Sequence, residues 1–303
     1  MKKIIILGVV FLFVVMTIYP NQVNSTTLIN QKEKPAELFF GLKSYISITW
    51  DENESLKPIM PNSPTRILSL NYSYWVTWGI FGRLINYYLR EIKYIGFVYI
   101  NFEIIDKPEY CNAWLNNNEL QFGFPEKPNI KDSIHDNIFI NLNENAPAYE
   151  EFNITIQATM DLEIRGPLGF ITILSPAITI VNITFIPDYW GVVSYVTPEG
   201  NLLETPPLIE KQLPIEVENL ANGKTIIETE ILEVPDDFII YFDPEELILD
   251  VGEEKTLYIK VIAPSNFSGR ETIRTKYTPH FYYNYSLTGW SEIILFNFYY
   301  YPS

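Results

Sequence analysis

The 303 residues suit about two domains of ordinary size, and 47% hydrophobic residues with 15% aromatics exclude an intrinsically disordered chain. Against 21 Lys and Arg stand 37 Asp and Glu, giving a formal charge of -16, a field that repels phosphate backbones and argues against nucleic-acid partners. One cysteine and two histidines leave no disulfide framework and no Cys/His zinc cage.

Met1-Lys2-Lys3 is followed by an apolar run from Ile4 to Tyr19 and then by Pro20 to Ser25. A basic start, a hydrophobic stretch below the ~20 residues that cross a bilayer, and Val23 and Ser25 at the −3 and −1 positions describe a signal peptide. Residues 1–25 are therefore read as a signal peptide or an uncleaved signal anchor. Either one places the remainder outside the cytoplasm, secreted or tethered in the cell envelope. Residues 26–35 are polar and extended in character; with Ala36 to Phe40 they could add a strand to a neighbour's sheet.

Residues 36–197 read as a first β-sandwich. Asp51-Glu52-Asn53-Glu54 offers loop oxygens but not the spacing of a calcium loop. Between Gly79 and Lys93, Phe81, Leu84, Ile85, Tyr88, Leu89 and Ile92 recur at three- and four-residue spacing and predict one amphipathic helix. Phe97 to Ile105 is apolar on both faces, as in a central strand covered on both sides. Asn153 to Met160 alternates with period two, and near Val181-Asn182 the apolar phase slips from Ile178/Ile180 to Ile183/Phe185, which predicts a β-bulge.

Pro198 to Pro207 interrupts the pattern and reads as a linker, 198–207, before a second unit over 208–303. There Ile215 to Glu218 and Leu257 to Val261 alternate again, and Ile293 to Phe298 reads as a final strand. The predicted fold class is thus all-β: two tandem Ig-like sandwiches after an N-terminal signal segment, with one short helix in the first. No repeat at a fixed period is visible.

The second unit carries Val217-Glu218-Asn219-Leu220-Ala221-Asn222-Gly223, Val234-Pro235-Asp236-Asp237-Phe238, Leu249-Asp250-Val251-Gly252-Glu253-Glu254 and Pro264. This succession resembles the Ig-like domains associated with NPCBM (alpha-galactosidase-associated) modules of archaeal and bacterial envelope proteins. Asp237-Phe238 stands where that family has Gly-Trp, and Asp250-Val251 where Pro precedes Gly. The first unit resembles a partner domain of archaeal surface proteins. The resemblance implies an Ig-like sandwich and a cell-envelope location, and it brings no catalytic residue.

Candidate chemistry is sparse. Sequons at Asn53, Asn71, Asn153, Asn182, Asn266 and Asn284, and at Asn24 in the leader, are candidates for glycosylation. Asp236-Asp237, Asp243-Pro244-Glu245-Glu246 and Glu253-Glu254 could serve a glycosidase but read as turn formers. His135 and His280 lack a partner motif, and Cys111 reads as a small buried hydrophobe. Aromatic clusters at Tyr72/Tyr74/Trp75/Trp78, Phe281/Tyr282/Tyr283/Tyr285/Trp290 and Tyr299/Tyr300/Tyr301 suit either core packing or a binding platform, the C-terminal tyrosines leaning toward an interface. The expected function is an exported, non-catalytic structural or interaction protein of the cell envelope, without cofactors, binding protein partners or itself. The alternative is a carbohydrate-binding module using surface aromatics.

Overall fold

Residues 41–165 and 172–302 are described by a computed structural model. The fold is all-β. The first ten strands are β1 (Leu42–Trp50), β2 (Arg66–Trp78), β3 (Phe97–Asp106), β4 (Cys111–Leu115), β5 (Glu119–Gly123), β6 (Asp132–Leu142), β7 (Phe152–Met160), β8 (Ile164–Arg165), β9 (Thr172–Leu174) and β10 (Ala177–Phe185). They form two sheets, β4-β6-β2-β1-β9-β8 and β10-β7-β3-β5. Tyr72, Tyr74, Phe102, Phe122 and Phe185 fill the space between them.

The second sandwich holds β11 (Val193–Val196), β12 (Leu202–Glu204), β13 (Glu210–Asn219), β14 (Thr225–Glu233), β15 (Ile239–Asp243), β16 (Leu247–Leu249), β17 (Glu254–Ile262), β18 (Gly269–Phe281), β19 (Asn284–Thr288) and β20 (Glu292–Tyr300). Its sheets are β11-β13-β17-β15 and β12-β20-β18-β14-β16, around a core of Tyr277, Phe296, Phe298, Ile259 and Leu249. The two sandwiches share one strand order. β1-β2-β6-β4 matches β11-β13-β17-β15, and β10-β7-β3-β5 matches β20-β18-β14-β16. This is the Ig-like arrangement of antiparallel sheets, with a short strand (β5, β16) added beside β3 and β14.

The strand pairing moves the expected boundary. β11 lies before the predicted linker, yet it pairs with β13. β12 lies inside residues 198–207, yet it runs parallel to β20. The prolines there mark turns between short edge strands, and the passage between the two cores runs through residues 186–192.

Three local expectations are corrected. The predicted bulge at Val181-Asn182 is absent: β10 pairs with β7 in continuous register from Ala177 to Phe185. The phase slip arises because Ile178 and Ile180 point outward and are exposed. On β3, Phe97, Tyr99 and Ile105 are likewise exposed, so its outer face is uncovered. The predicted helix is shorter than Gly79–Lys93. It comprises α2 (Gly82–Tyr87) and a π turn over Tyr88–Ile92, after a one-turn α1 (Glu52–Ser55). Its buried line is Gly82, Asn86 and Leu89, and Leu84, Tyr87 and Ile92 are left in solvent.

The Ig-like motifs of the second sandwich have a backbone cause. Gly252 turns the β16–β17 connection, which crosses from one sheet to the other, at φ +72°, and Asp237 occupies φ +61°. The left-handed region favours glycine, with Asp among the tolerated exceptions. Asp237 thus takes a backbone conformation in which glycine would be at ease. The following Phe238 packs edge-on against Phe267 (5.0 Å between centroids).

Candidate binding cleft at the junction of the sandwiches

The connecting segment is held from both sides. Ile59 N donates to Ile186 O (2.8 Å) and Asp188 N to Ile59 O (2.8 Å). The Tyr149 hydroxyl donates to Asp188 Oδ1 (2.8 Å). From the second sandwich the β13–β14 turn contributes Asn222, which is buried. Its Nδ2 donates to Ala146 O (2.7 Å) and Asp188 O (2.8 Å), and its Oδ1 accepts from Trp190 N (2.6 Å). Its backbone completes the tie, with O accepting from Ala148 N (3.0 Å) and N donating to Trp190 O (3.3 Å). A carboxamide offers two donors and an acceptor, and here all of them join the first sandwich and the connector to the second.

Beneath this tie lies a small apolar cluster of Ala148, Tyr189, Ala221 and Phe281. Phe281 stacks on Tyr149 (5.5 Å) and meets Tyr189 (5.2 Å). The Tyr189 hydroxyl shares a hydrogen bond with Thr225 Oγ1 (2.9 Å). Asn219 organises the same turn, its Nδ2 donating to Gly223 O (3.1 Å), Leu249 O (3.2 Å) and Asp250 O (3.1 Å).

Burial pushes the Tyr189 phenol up to about 12. Burial, then the hydrogen bond and charge of Asp188, push Tyr149 up to about 12 as well. Both groups are thus favoured neutral in the folded chain. Their contribution is complete below the ordinary phenol value of 10.0 and is lost as pH climbs from there through 12. Thermal midpoints measured across that window should fall. Because other buried tyrosines share the effect, the junction's share is the amount by which Tyr189→Phe flattens the fall; an identical fall in the variant would refute it.

Beside the tie, Trp190 and Trp290 meet edge to face, 4.2 Å between centroids at 75°. They can do so because two glycines allow backbone contact: Trp290 N donates to Gly191 O (2.9 Å) and Gly289 N to Pro279 O (2.8 Å). The indoles wall an open cleft of about 510 Å³ lined also by Val192, Val193, Ser291 and Glu292. Apolar walls with a carboxylate, and a hydroxyl that also bonds Thr278 Oγ1 (2.9 Å), in the lining can stack a flat apolar face and hydrogen-bond to its edge. Trp290 was legible as part of an aromatic cluster; Trp190 was missed, although Asp188-Tyr189-Trp190-Gly191 is itself an aromatic, glycine-bearing stretch.

The other expected residues scatter. Asn53, Asn153, Asn182, Asn266 and Asn284 are exposed. Asn71 is half-buried mid-strand, with its Oδ1 shut away from solvent and unpaired. Tyr299 pairs with Glu204 on β12, so β20 is not the sheet edge there; Tyr299 and Tyr300 are half-buried and Tyr301 is exposed. Tyr72 and Tyr74 are core residues. Trp75 stacks on Tyr45 (5.4 Å) beneath Lys131, and Lys43 lies over Tyr45, which closes that pair as a platform.

The acidic pairs sit in separate turns of the second sandwich. Glu253 accepts from Asp250 N (2.8 Å) and pairs with Lys255 (3.0 Å), which together hold its carboxyl below the usual range. Asp51 caps α1 by accepting from Asn53 N (2.9 Å). Among the described residues no three His, Cys, Asp or Glu converge on a metal-sized site. His135 is exposed, whereas buried His280 bridges the Tyr285 carbonyl (2.7 Å) and the Glu228 carboxylate (2.9 Å) and stacks on Tyr285. Cys111 is buried, its thiol pushed up to about 11 by desolvation, which leaves it unreactive at neutral pH.

The strand order and the locked junction define the class: a tandem Ig-like β-sandwich protein. No protein-family profile matches the sequence, and no curated protein does either. Among solved structures, the D00-D0 domain of Intimin is similar at 9% identity over 83% of this chain and 99% of its own, with a TM-score of 0.33. The D0-D1 domain of Intimin is similar at 8% identity over 84% and 98%, with a TM-score of 0.25. The YadV chaperone is similar at 8% identity over 82% and 99%, with a TM-score of 0.23.

Proposed function

We propose that the chain is an exported, non-catalytic structural or interaction protein of the cell envelope, of the kind that the resemblance to NPCBM-associated Ig-like domains of archaeal and bacterial surface proteins implies. One observation carries it: a pair of sandwiches hydrogen-bonded at their junction, whose outer sheet faces keep large apolar side chains in solvent. Phe97, Tyr99, Ile178 and Ile180 stand on the first, Ile293 and Leu295 on the second. Exposed apolar groups on a fixed scaffold are the usual raw material of protein contacts. The leader at 1–25 supports export, and the exposed sequons support glycosylation at Asn53, Asn153, Asn182, Asn266 and Asn284 rather than at half-buried Asn71. Fractionation of the native cell with intact-mass measurement tests this reading. The protein should sit in the envelope or the medium, with glycan mass on the exposed asparagines. Recovery from the cytosol with Met1 in place and no added mass would end it.

The Trp190/Trp290 cleft favours a second reading, a carbohydrate-binding module. On a glycan panel the wild-type chain should then retain a defined sugar class, and Trp290→Ala should weaken that binding by about tenfold, the worth of one aromatic contact. Equal retention by the variant would remove the cleft from the account.

A further inference from the structure

The apolar surface around α2 has a specific location. Ile80, Leu84, Tyr87, Ile92, Tyr94 and Phe97 are each more than half exposed, and they follow one another along the β2–β3 connection. The segment holds its shape from inside: Gly82 lies against Trp78 so closely that a Cβ would sit 2.4 Å from the Trp78 Cβ. Asn86 Nδ2 donates to Glu126 O (3.2 Å), and Leu89 is fully buried. The outward side chains are therefore a preformed surface.

The same segment is locally basic in an acidic chain. Arg83, Arg90 and Lys93 stand on it against Glu91, with Arg83, Lys93 and Glu91 exposed and Arg90 paired with Glu126 (2.8 Å), whereas the whole chain has a formal charge of -16. The described chain also enters the sandwich at this end. Leu42, where β1 begins, pairs with Trp78, and Gly79 N donates to Gly41 O (2.9 Å). Some twenty residues separate the end of the Ile4–Tyr19 run from Gly41, a span of at most about 70 Å.

We propose that this connection is a lipid-docking surface, which seats the tip of the first sandwich on an anionic membrane to which the N-terminal segment tethers the chain. The proposal rests on reading residues 4–19 as a segment that stays in the membrane. Exposed Leu, Ile, Phe and Tyr flanked by Arg and Lys is the composition that settles at the headgroup boundary. Such a patch binds weakly alone, but a tether of this length supplies the second attachment that stable anchoring needs. A second copy is a poorer occupant, since a two-fold contact would bring two copies of the same basic excess together.

The test uses the full chain in vesicles of equal parts phosphatidylglycerol and phosphatidylcholine, with a polarity-sensitive dye on Leu84→Cys; buried Cys111 stays unlabelled. The dye should shift to the blue and be quenched by spin-labelled lipid, whereas the same dye on Val251→Cys in the second sandwich should respond to neither. Arg83→Gln and Lys93→Gln should each weaken the anionic-lipid response by about fivefold. A Leu84 dye that stays in water while the chain is vesicle-bound overturns the docking and leaves the anchor standing. A blue shift without lipid quenching, growing with protein concentration, assigns the surface to a second copy instead. If the chain fails to insert, the anchor reading fails alone, and added anionic vesicles still decide the docking through the same dye.

Discussion

Replacing Asn222 with alanine should uncouple the two sandwiches. The variant strands three partners, the carbonyls of Ala146 and Asp188 and the Trp190 N–H, each now within 2.8 Å of the carboxamide. Each buried group left without a partner costs on the order of 1–3 kcal/mol, so the total loss should be about 3 kcal/mol or more. Asn222→Asp should be worse, because a carboxylate oxygen would face two carbonyl oxygens in place of a donor. Each sandwich has its own core, and the cluster between them is small. The loss should therefore fall on cooperativity first, with one denaturant transition splitting into two. Small-angle scattering should show a wider range of dimensions in the native state. A single transition at the wild-type midpoint would mean that the tie is incidental.

The architecture was readable from alternation because each buried strand face repeats every second residue: Ile154, Ile156, Ala158 and Met160 all point inward. The same rule failed at Ile178/Ile180 and at Phe97/Tyr99, where apolar residues face solvent. A pattern of hydrophobicity records which residues are apolar, not which neighbour covers them, so surface patches imitate bulges or two-sided burial. The shared strand order of the sandwiches leaves no sequence repeat for a related reason. What repeats is the pairing of strands, while the β2–β3 connection carries a helix and its counterpart, β13–β14, is a short turn holding Asn222. The junction was the least legible part. Asn219 to Gly223 forms a turn, but its hydrogen bonds reach Ala146, 76 positions away from Asn222, and no local motif encodes that distance.

A second substitution probes the cleft itself. An alanine at Gly289 would place its Cβ 2.0 Å from Gly191 O and 2.5 Å from the Gly191 carbonyl carbon and Cα. These are backbone atoms, so no rotamer change relieves the overlap, and the two segments must part. Parting them breaks the bond from Trp290 N to Gly191 O and withdraws Trp290 from Trp190. Overpacking of this kind typically costs about 1–3 kcal/mol; here the upper end is expected, because a hydrogen bond goes with it. Gly191→Ala, whose Cβ would come within 2.6 Å of the Gly289 Cα, should act in the same direction. Of the six tryptophans, all among the described residues, only this pair is in indole–indole contact, at 4.2 Å, and Gly289→Ala should lose the part of the near-ultraviolet tryptophan dichroism that Trp290→Ala also removes, at temperatures where its far-ultraviolet spectrum still shows folded sheets. Any ligand that needs both indoles should lose affinity in Gly289→Ala at least as much as in Trp290→Ala, although no side chain lining the cleft has changed. Full tryptophan dichroism with wild-type stability in the alanine variant would show that the backbones are not in contact, and the cleft would lose its physical basis.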